Sequence, residues 1–317
     1  MIISEKNSKY HLVTIPKTKG IRILNCIEPN SKLYDLQKNI LNNFLESIPL
    51  VDNVFGFIKD VSYKDFLIPH KSNNQKKYYV RVDIKSFFDS INSNLIKNAL
   101  IYHFRLKKDN ENEEELRKIT EIFTLNDCLP QGAVTSPAIS NIVFRPLDIK
   151  IRNYCRKLDF TYTRYADDLL FSSYNIKIFK PFFVKMITKI LKEYGFFLNF
   201  KKLKKTSKEI SLNGFVVGEN IRLSRKRKND IAAILFSYED GKKPNSLREC
   251  IGRFNEIELY YRNKPFLVKS DIINYLNGYR SFILSWLIKE YDSDIYLKNK
   301  RLIERIEKIV QQIEKLN

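Results

Sequence analysis

At 317 residues, 44% of them hydrophobic, the chain can bury a sizeable core in about two domain-sized units. Its 56 Lys and Arg against 36 Asp and Glu leave a formal charge of +20, an excess that repels itself without a polyanionic partner, either nucleic acid or an acidic membrane surface. The polar start MIISEKNSKYHL is no secretory apolar core and no apolar run approaches bilayer length, which argues against secreted and membrane-spanning classes; a cytoplasmic protein with no membrane partner is expected.

Residues 10–24, YHLVTIPKTKGIRIL, alternate in the manner of a hairpin whose basic turn, KTKG, closes on glycine. A helix is predicted over 31–47, with Ser31 as N-cap and Leu33, Leu36, Ile40, Leu41 and Phe44 on one face. In KKYYVRVDIKSFFDSI the strand portion puts Val80, Val82 and Ile84 on one face and Tyr79, Arg81 and Asp83 on the other, so Asp83 stands near the end of a half-buried strand. KKDNENEEELRK, at 107–118, reads as a solvated insertion that ends in a helix. NDCLPQGAVTSPAISNIVFRPLDIKIRNYC opens as a loop and turns helical, with Ser136 as cap, Pro137 in the first turn and Ile139, Ile142, Val143 and Leu147 as the buried stripe. TYTRYADDLLFSS, at 161–173, reads as a hairpin, followed by an amphipathic helix at about 181–194.

Between 200 and 230, ten Lys or Arg stand against Glu209, Glu219 and Asp230, a basic strand-rich ribbon. Helical periodicity runs from about 230 to the end. Leu302, Ile306, Ile309, Ile313 and Leu316 repeat at heptad-like spacing, but two heptads suit a helix packed within its own chain better than a coiled coil. Cys26, Cys128, Cys155 and Cys250 show no CxxC spacing and read as small hydrophobes, and His11, His70 and His103 are scattered, so neither a zinc site nor a disulfide framework is suggested.

The chemistry rests on Asp167 and Asp168. Adjacent acids in an apolar frame repel each other and need a counter-charge, which a divalent metal can supply; a solvated turn between two strands is the other reading. Asp83 closes one strand and the acid pair lies at a bend 84 residues later, so an antiparallel sheet could gather all three carboxylates. Such an oxygen-rich edge suits hard cations such as Mg²⁺, and two ions about 3.5–4 Å apart would stabilise the attacking and leaving oxygens of a nucleotidyl transfer.

VDIKSFFDSI, LPQGAVTSP and YTRYADDLLFS occur in the order and approximate separation of motifs in reverse transcriptases, and over residues 10–220 the chain resembles the bacterial, non-viral branch that includes retron and defence-associated enzymes. Against the retron pattern, FLIPH keeps only His70, SLNGFVV keeps only Gly214, and Val134 stands where Pro is usual. The resemblance implies an α+β right-hand polymerase fold: fingers at 1–77 and 106–128, palm at 78–105 and 129–222 with an antiparallel sheet and the YADD hairpin, and a helical thumb at 223–317. It implies that Asp83 and Asp167 ligate both Mg²⁺ ions, with Mn²⁺ as a substitute, that the Ile84 carbonyl is a further ligand and that Asp168 assists beside the primer end. Phe88 would exclude a ribose hydroxyl while Phe87 serves the core, Gln131 and Gly132 would contact the incoming nucleotide, and Lys17, Lys19 and Arg22 would reach its triphosphate. Lys202 would protonate pyrophosphate.

Lys201, Lys204, Lys205, Arg225, Lys226, Arg227 and Lys228 would grip phosphates, and Tyr260, Tyr261, Tyr275 and Tyr279 either pack against bases and sugars or fill a core. The implied function is an RNA-directed DNA polymerase, a nucleotidyltransferase copying a dedicated non-coding RNA in anti-phage defence. Its partners would be that RNA, dNTPs and a DNA product or RNA–DNA hybrid, with an effector protein, a second reverse transcriptase or an oligomer as further partners. A catalytically idle RNA-binding scaffold and the reverse transcriptase of a mobile element are the alternatives.

Overall fold

The computed structural model describes residues 9–16, 21–104, 110–260, 262, 264–285, 287 and 294–316. The chain divides between Ile210 and Ser211 into two compact units, whereas the sequence reading ends the palm at 222.

The first unit opens on an antiparallel pair, β1 (Tyr10–Pro16) and β2 (Ile21–Ile27), in register from Tyr10↔Ile27 to Pro16↔Ile21. Helix α1 (Lys32–Asn43) starts where the Ser31 hydroxyl accepts the amide of Tyr34 at 3.2 Å, the cap expected from sequence. Phe44 leaves the helix and is exposed, and Gln37 takes an inward position instead, its amide donating to the Ile122 carbonyl at 2.7 Å.

The centre is a four-stranded antiparallel sheet of order β4 (Thr161–Tyr165), β5 (Asp168–Ser173), β3 (Tyr78–Asp83), β6 (Lys204–Ser207). Its two faces are fixed by the period-2 alternation and the register Val80↔Phe171, Val82↔Leu169, Asp83↔Asp168. Val80, Val82, Leu169 and Phe171 face α5 (Ser136–Lys157) and α6 (Pro181–Lys192) and share one core with Ile139, Ile142, Val143, Leu147, Phe183 and Ile187. Tyr79, Arg81, Asp83 and Asp168 lie on the other face. There α2 (Tyr63–Leu67) and the turn after it cover the strands, and the His70 ring hydrogen-bonds Ser172 Oγ at 2.7 Å and Thr163 Oγ1 at 2.8 Å. The strand carrying Asp83 is therefore buried on both faces, not half-buried, because helices pack one face and the His70 segment covers the other, Tyr79 Oη donating to the His70 carbonyl at 3.2 Å.

Helix α3 (Ser93–Phe104) and α4 (Asn110–Phe123) complete this unit, and α4 begins within the predicted solvated insertion. The cap of α5 is Thr135 with helical backbone and no side-chain cap bond; Ser136 is already in the helix with its hydroxyl buried, so the predicted cap is displaced by one residue.

The second unit combines a three-stranded sheet, β7 (Ile210–Leu212), β8 (Phe215–Val217) and β9 (Ile221–Leu223), with α7 (Arg225–Glu239), α8 (Leu247–Asn255), α9 (Lys269–Leu284) and α10 (Asp294–Glu314). Helix α7 begins five residues before the predicted start at 230, because Ser224 accepts the amide of Arg227 at 3.4 Å and sets the N-terminus there. Ile306, Ile309 and Ile313 of α10 are buried, and α10 lies along α9 with Arg280 paired to Glu307, which is packing within the chain. No helix among the described residues is long and apolar enough to cross a membrane.

Candidate active site

The register opposes Asp83 directly to Asp168 at the end of β3 and β5, and the two-residue turn Ala166–Asp167 joins β4 to β5 beside them. Ala166 takes a positive φ of 55° and Asp167 does not, the backbone sense that suits a tight hairpin but ordinarily favours Gly at the first position. The amide of Ile84 donates to the Asp167 carbonyl at 2.9 Å, tying the turn to the end of β3. Three carboxylates thus come to one end of the sheet.

Their environments differ. Arg81, two residues before Asp83 on the same face, lies diagonally across from Asp168 and donates to it through two nitrogens, Nε and Nη2, each at 2.8 Å. Lys202 donates to both oxygens of Asp83, at 3.0 and 2.8 Å, from a 3-10 turn (Phe200–Lys202) tied to the strand by the amide of Asn199 donating to the Asp83 carbonyl at 2.8 Å. Asp167 is left over. Burial, and then the charges of Asp168 and Asp83, push its carboxyl up to about 6, against a smaller opposing pull from Lys202.

Among the described residues no group of three or more Asp, Glu, His or Cys side chains is arranged to hold a metal ion. The sheet gathers the three carboxylates at one end, as it could from sequence, with Asp168 bonded to Arg81 and Asp83 to Lys202. The donor set still fits a hard cation, because all three groups are carboxylates and Asp167 lacks a full counter-charge.

The remaining expected residues fall as follows. Phe88 is partly buried, its ring 5.5 Å from Phe87 and 6.0 Å from Phe57, while Phe87 is a core residue as expected. Ile84 is buried, and Arg22 is exposed on β2. The Gln131 carbonyl accepts the amide of Asn25 at 2.7 Å, and a Cβ on Gly132 (φ 117°) would meet the Asn25 oxygen at 2.9 Å, so this glycine answers to the close approach of β2. Lys17, Lys19 and Tyr261 lie outside the described residues. Lys201, Lys204 and Lys205 are exposed in the first unit, and Arg225, Lys226 and Lys228 in the second.

Arg227 is half-buried: its guanidinium lies 4.9 Å from the Phe282 ring and its stem fills the space that a Cβ on Gly214 would need. Tyr275, half-buried, and Tyr279, buried, meet edge to face, whereas Tyr260 is exposed beneath the Lys226 ammonium at 3.7 Å. Sequence reasoning named no role for Arg81, Asn199 or Arg164. For Arg81 the signal was present, since strand alternation puts it on the face of Asp83.

The class defined by this sheet, hairpin and helix arrangement is the right-hand polymerase fold. A solved structure of apo telomerase from Candida tropicalis matches 96% of this chain and 62% of its own length with a TM-score of 0.51 at 11% identity. Residues 6–217, more than half of the chain, match the family described as reverse transcriptase (RNA-dependent DNA polymerase), and the chain belongs to that family. It is 35% identical over 196 residues to the retron Ec73 reverse transcriptase of Escherichia coli, covering 59% of this chain and 61% of that protein. It is also 28% identical over 276 residues to the retron Ec83 reverse transcriptase of Escherichia coli, covering 81% of this chain and 86% of that protein. These relatives group it with bacterial retron-type reverse transcriptases, the branch to which the motifs pointed.

Proposed function

We propose that the protein is an RNA-directed DNA polymerase that extends a primer hydroxyl on a dedicated non-coding RNA and serves anti-phage defence. The observation that carries the polymerase reading is the meeting of Asp83, Asp167 and Asp168 at one sheet end, with the Asp167 carboxyl pushed up to about 6 by burial and then by the charges of Asp168 and Asp83. Two Mg²⁺ ions, or Mn²⁺ in their place, would be held by Asp83, Asp167 and the Ile84 carbonyl, supplying charge to the attacking and leaving oxygens. Asp168, held by two nitrogens of Arg81, would assist beside the primer end. Lys202, bonded to both oxygens of Asp83, would hand a proton to departing pyrophosphate. Phe88 would bar a ribose hydroxyl; Gln131, Gly132, Arg22, Lys17 and Lys19 would meet the nucleotide. The exposed lysines of the 200–205 segment and of the start of α7 would contact phosphates, an affinity that falls with salt. The non-coding template and the defence role rest on the likeness to the retron branch.

The test is synthesis on poly(rA) primed with oligo(dT), with labelled dTTP and Mg²⁺, beside synthesis on the RNA that purifies with the protein. Labelled DNA from wild type and none from Asp167→Asn, with RNA retained by both, is the expected result. RNA retained with no DNA from wild type would identify an idle RNA-binding scaffold instead. For the defence role, expression in a phage-sensitive bacterium together with the native RNA locus should lower plaque number, and Asp167→Asn should restore it.

A further inference from the structure

Behind the catalytic turn, on the helix side of the sheet, stands a polar group that the chemistry above does not use. Arg164 of β4 is fully buried and pairs with Asp148 of α5, itself fully buried, through Nε at 2.9 Å and Nη2 at 2.8 Å. Its third nitrogen, Nη1, donates to the carbonyl of Ala166 at 3.1 Å, the residue immediately before Asp167. Nη2 also reaches Asn141 Oδ1 at 3.1 Å, and the amide of Asn141 donates to the Gly56 carbonyl at 2.8 Å. The 53–56 segment runs beside β4: the amide of Arg164 donates to the Asn53 carbonyl at 2.8 Å, and the amide of Phe55 donates to the Arg164 carbonyl at 2.9 Å.

Gly56 closes the frame. A Cβ there would stand 2.5 Å from the backbone nitrogen of Ala166 and 3.1 Å from the carbonyl carbon of Tyr165. Both are backbone atoms that cannot swing away, so a side chain at 56 forces the 53–56 segment and the turn apart. The turn itself is not self-sufficient, since Ala166 holds a positive φ without being glycine, a conformation that persists only where its surroundings determine it.

We propose that Gly56, Asn141 and Arg164 are positioning residues that fix where Asp167 stands, Arg164 holding the Ala166 carbonyl from beneath while Gly56 sets the wall against which the turn rests. The proposal rests on the reading that Asp167 is a working acid of the polymerase site. It requires no change of charge at the acids, and a shift of the turn by about 1 Å is enough to cost on the order of 100-fold in rate.

Gly56→Ala and Asn141→Ala both leave the Arg164–Asp148 pair in place. Each should lower kcat for primer extension, about 10- to 100-fold for Gly56→Ala and several-fold for Asn141→Ala, with the dNTP KM within about threefold of wild type. Binding of Mn²⁺, followed by electron paramagnetic resonance in the absence of substrate, should weaken in parallel. Leu147→Ala, a core truncation on the same helix, is the control: its Tm should fall at least as far while kcat and Mn²⁺ binding stay at wild-type values. Wild-type kcat and Mn²⁺ binding in both Gly56→Ala and Asn141→Ala, with Asp167→Asn inactive, would overturn the frame alone. Full synthesis by Asp167→Asn would overturn the site assignment and the frame with it.

Discussion

The two faces of the central sheet treat buried charge in opposite ways. On the helix side, Arg164 and Asp148 are wholly enclosed, and every guanidinium nitrogen has an acceptor, with Tyr162 Oη adding a further donor to Asp148 at 2.8 Å. On the opposite face three acids meet two cations, Arg81 takes one acid, Lys202 takes another from a largely exposed position, and Asp167 is left pushed up to about 6. A buried charge that is completed by its neighbours builds structure; one that is left incomplete by a fold able to complete it marks a place where something else binds. The contrast is sharp because the two sets meet at one hairpin, Arg164 on β4 and Asp167 in the turn that follows being three residues apart.

Removing groups from each face should therefore have opposite signatures. On the acid face, Asp83→Asn or Asp167→Asn should reduce DNA synthesis by about 1,000-fold or more, roughly 4 kcal/mol of barrier, with little loss of folded protein. Steady-state incorporation of labelled dNTP checks it, and a loss under tenfold would detach these acids from the chemistry. On the helix face, Asp148→Ala should cost about 3–5 kcal/mol of stability by stranding the Arg164 cation, read as a drop in the urea midpoint. A drop equivalent to less than about 1 kcal/mol would mean that the pair is not as enclosed as the geometry shows. Phe88 tests the rim of the acid face. Phe88→Ala should raise ribonucleotide incorporation relative to deoxyribonucleotide by about 10- to 100-fold, measured as the ratio of kcat/KM values. An unchanged ratio would leave Phe88 as a ring packed against Phe57 and Phe87 and nothing more.

The acid face was largely legible in the sequence and the helix face was not. Strand alternation places Val80 and Val82 opposite Arg81 and Asp83, and the pairing of β3 with β5 then needs only the hairpin at 166–167 to oppose Asp83 to Asp168. What alternation does not carry is the direction of long side chains. Nothing local says that Arg81 turns to Asp168, or that Lys202, and not its neighbours Lys201 or Lys204, reaches Asp83, because those contacts span 87 and 119 positions. Arg164 was hidden for another reason: a charged residue on the inward face of a strand breaks the apolar pattern, and its partner Asp148 lies on a helix whose apolar stripe at Ile139, Ile142, Val143 and Leu147 was read without it. Helix starts differed from the expectation by a few residues: Thr135, without a side-chain cap bond, stands at the cap position one place before Ser136, and the Ser224 hydroxyl caps well ahead of 230.

The smallest effect tests the contrast itself. If Asp167 is short of counter-charge, its ionisation should destabilise the metal-free protein, and the sign follows from the direction of its shift. The carboxyl is raised in the folded chain from an ordinary 3.8 to about 6 by burial and by Asp168 and Asp83, with Lys202 opposing. Below pH 4 both folded and unfolded chains hold the proton and there is no penalty. Between about 4 and 6 the unfolded chain has released it while the folded chain keeps it, so stability contributed by this group declines as pH rises, and above about 6 the loss is complete. Asp167→Asn removes the charge, and in chelator at pH 8 it should be more stable than wild type by about 1–2 kcal/mol after allowance for partial exposure, with the difference vanishing toward pH 4. Paired urea titrations at pH 4.5, 6 and 8 measure the difference. Added Mg²⁺ should narrow it at pH 8 by stabilising only the wild type, since a ligand bound to the folded chain alone shifts the balance by mass action. A difference independent of pH would mean that the charge on Asp167 is already answered within the fold, and the two faces of the sheet would then differ only in exposure.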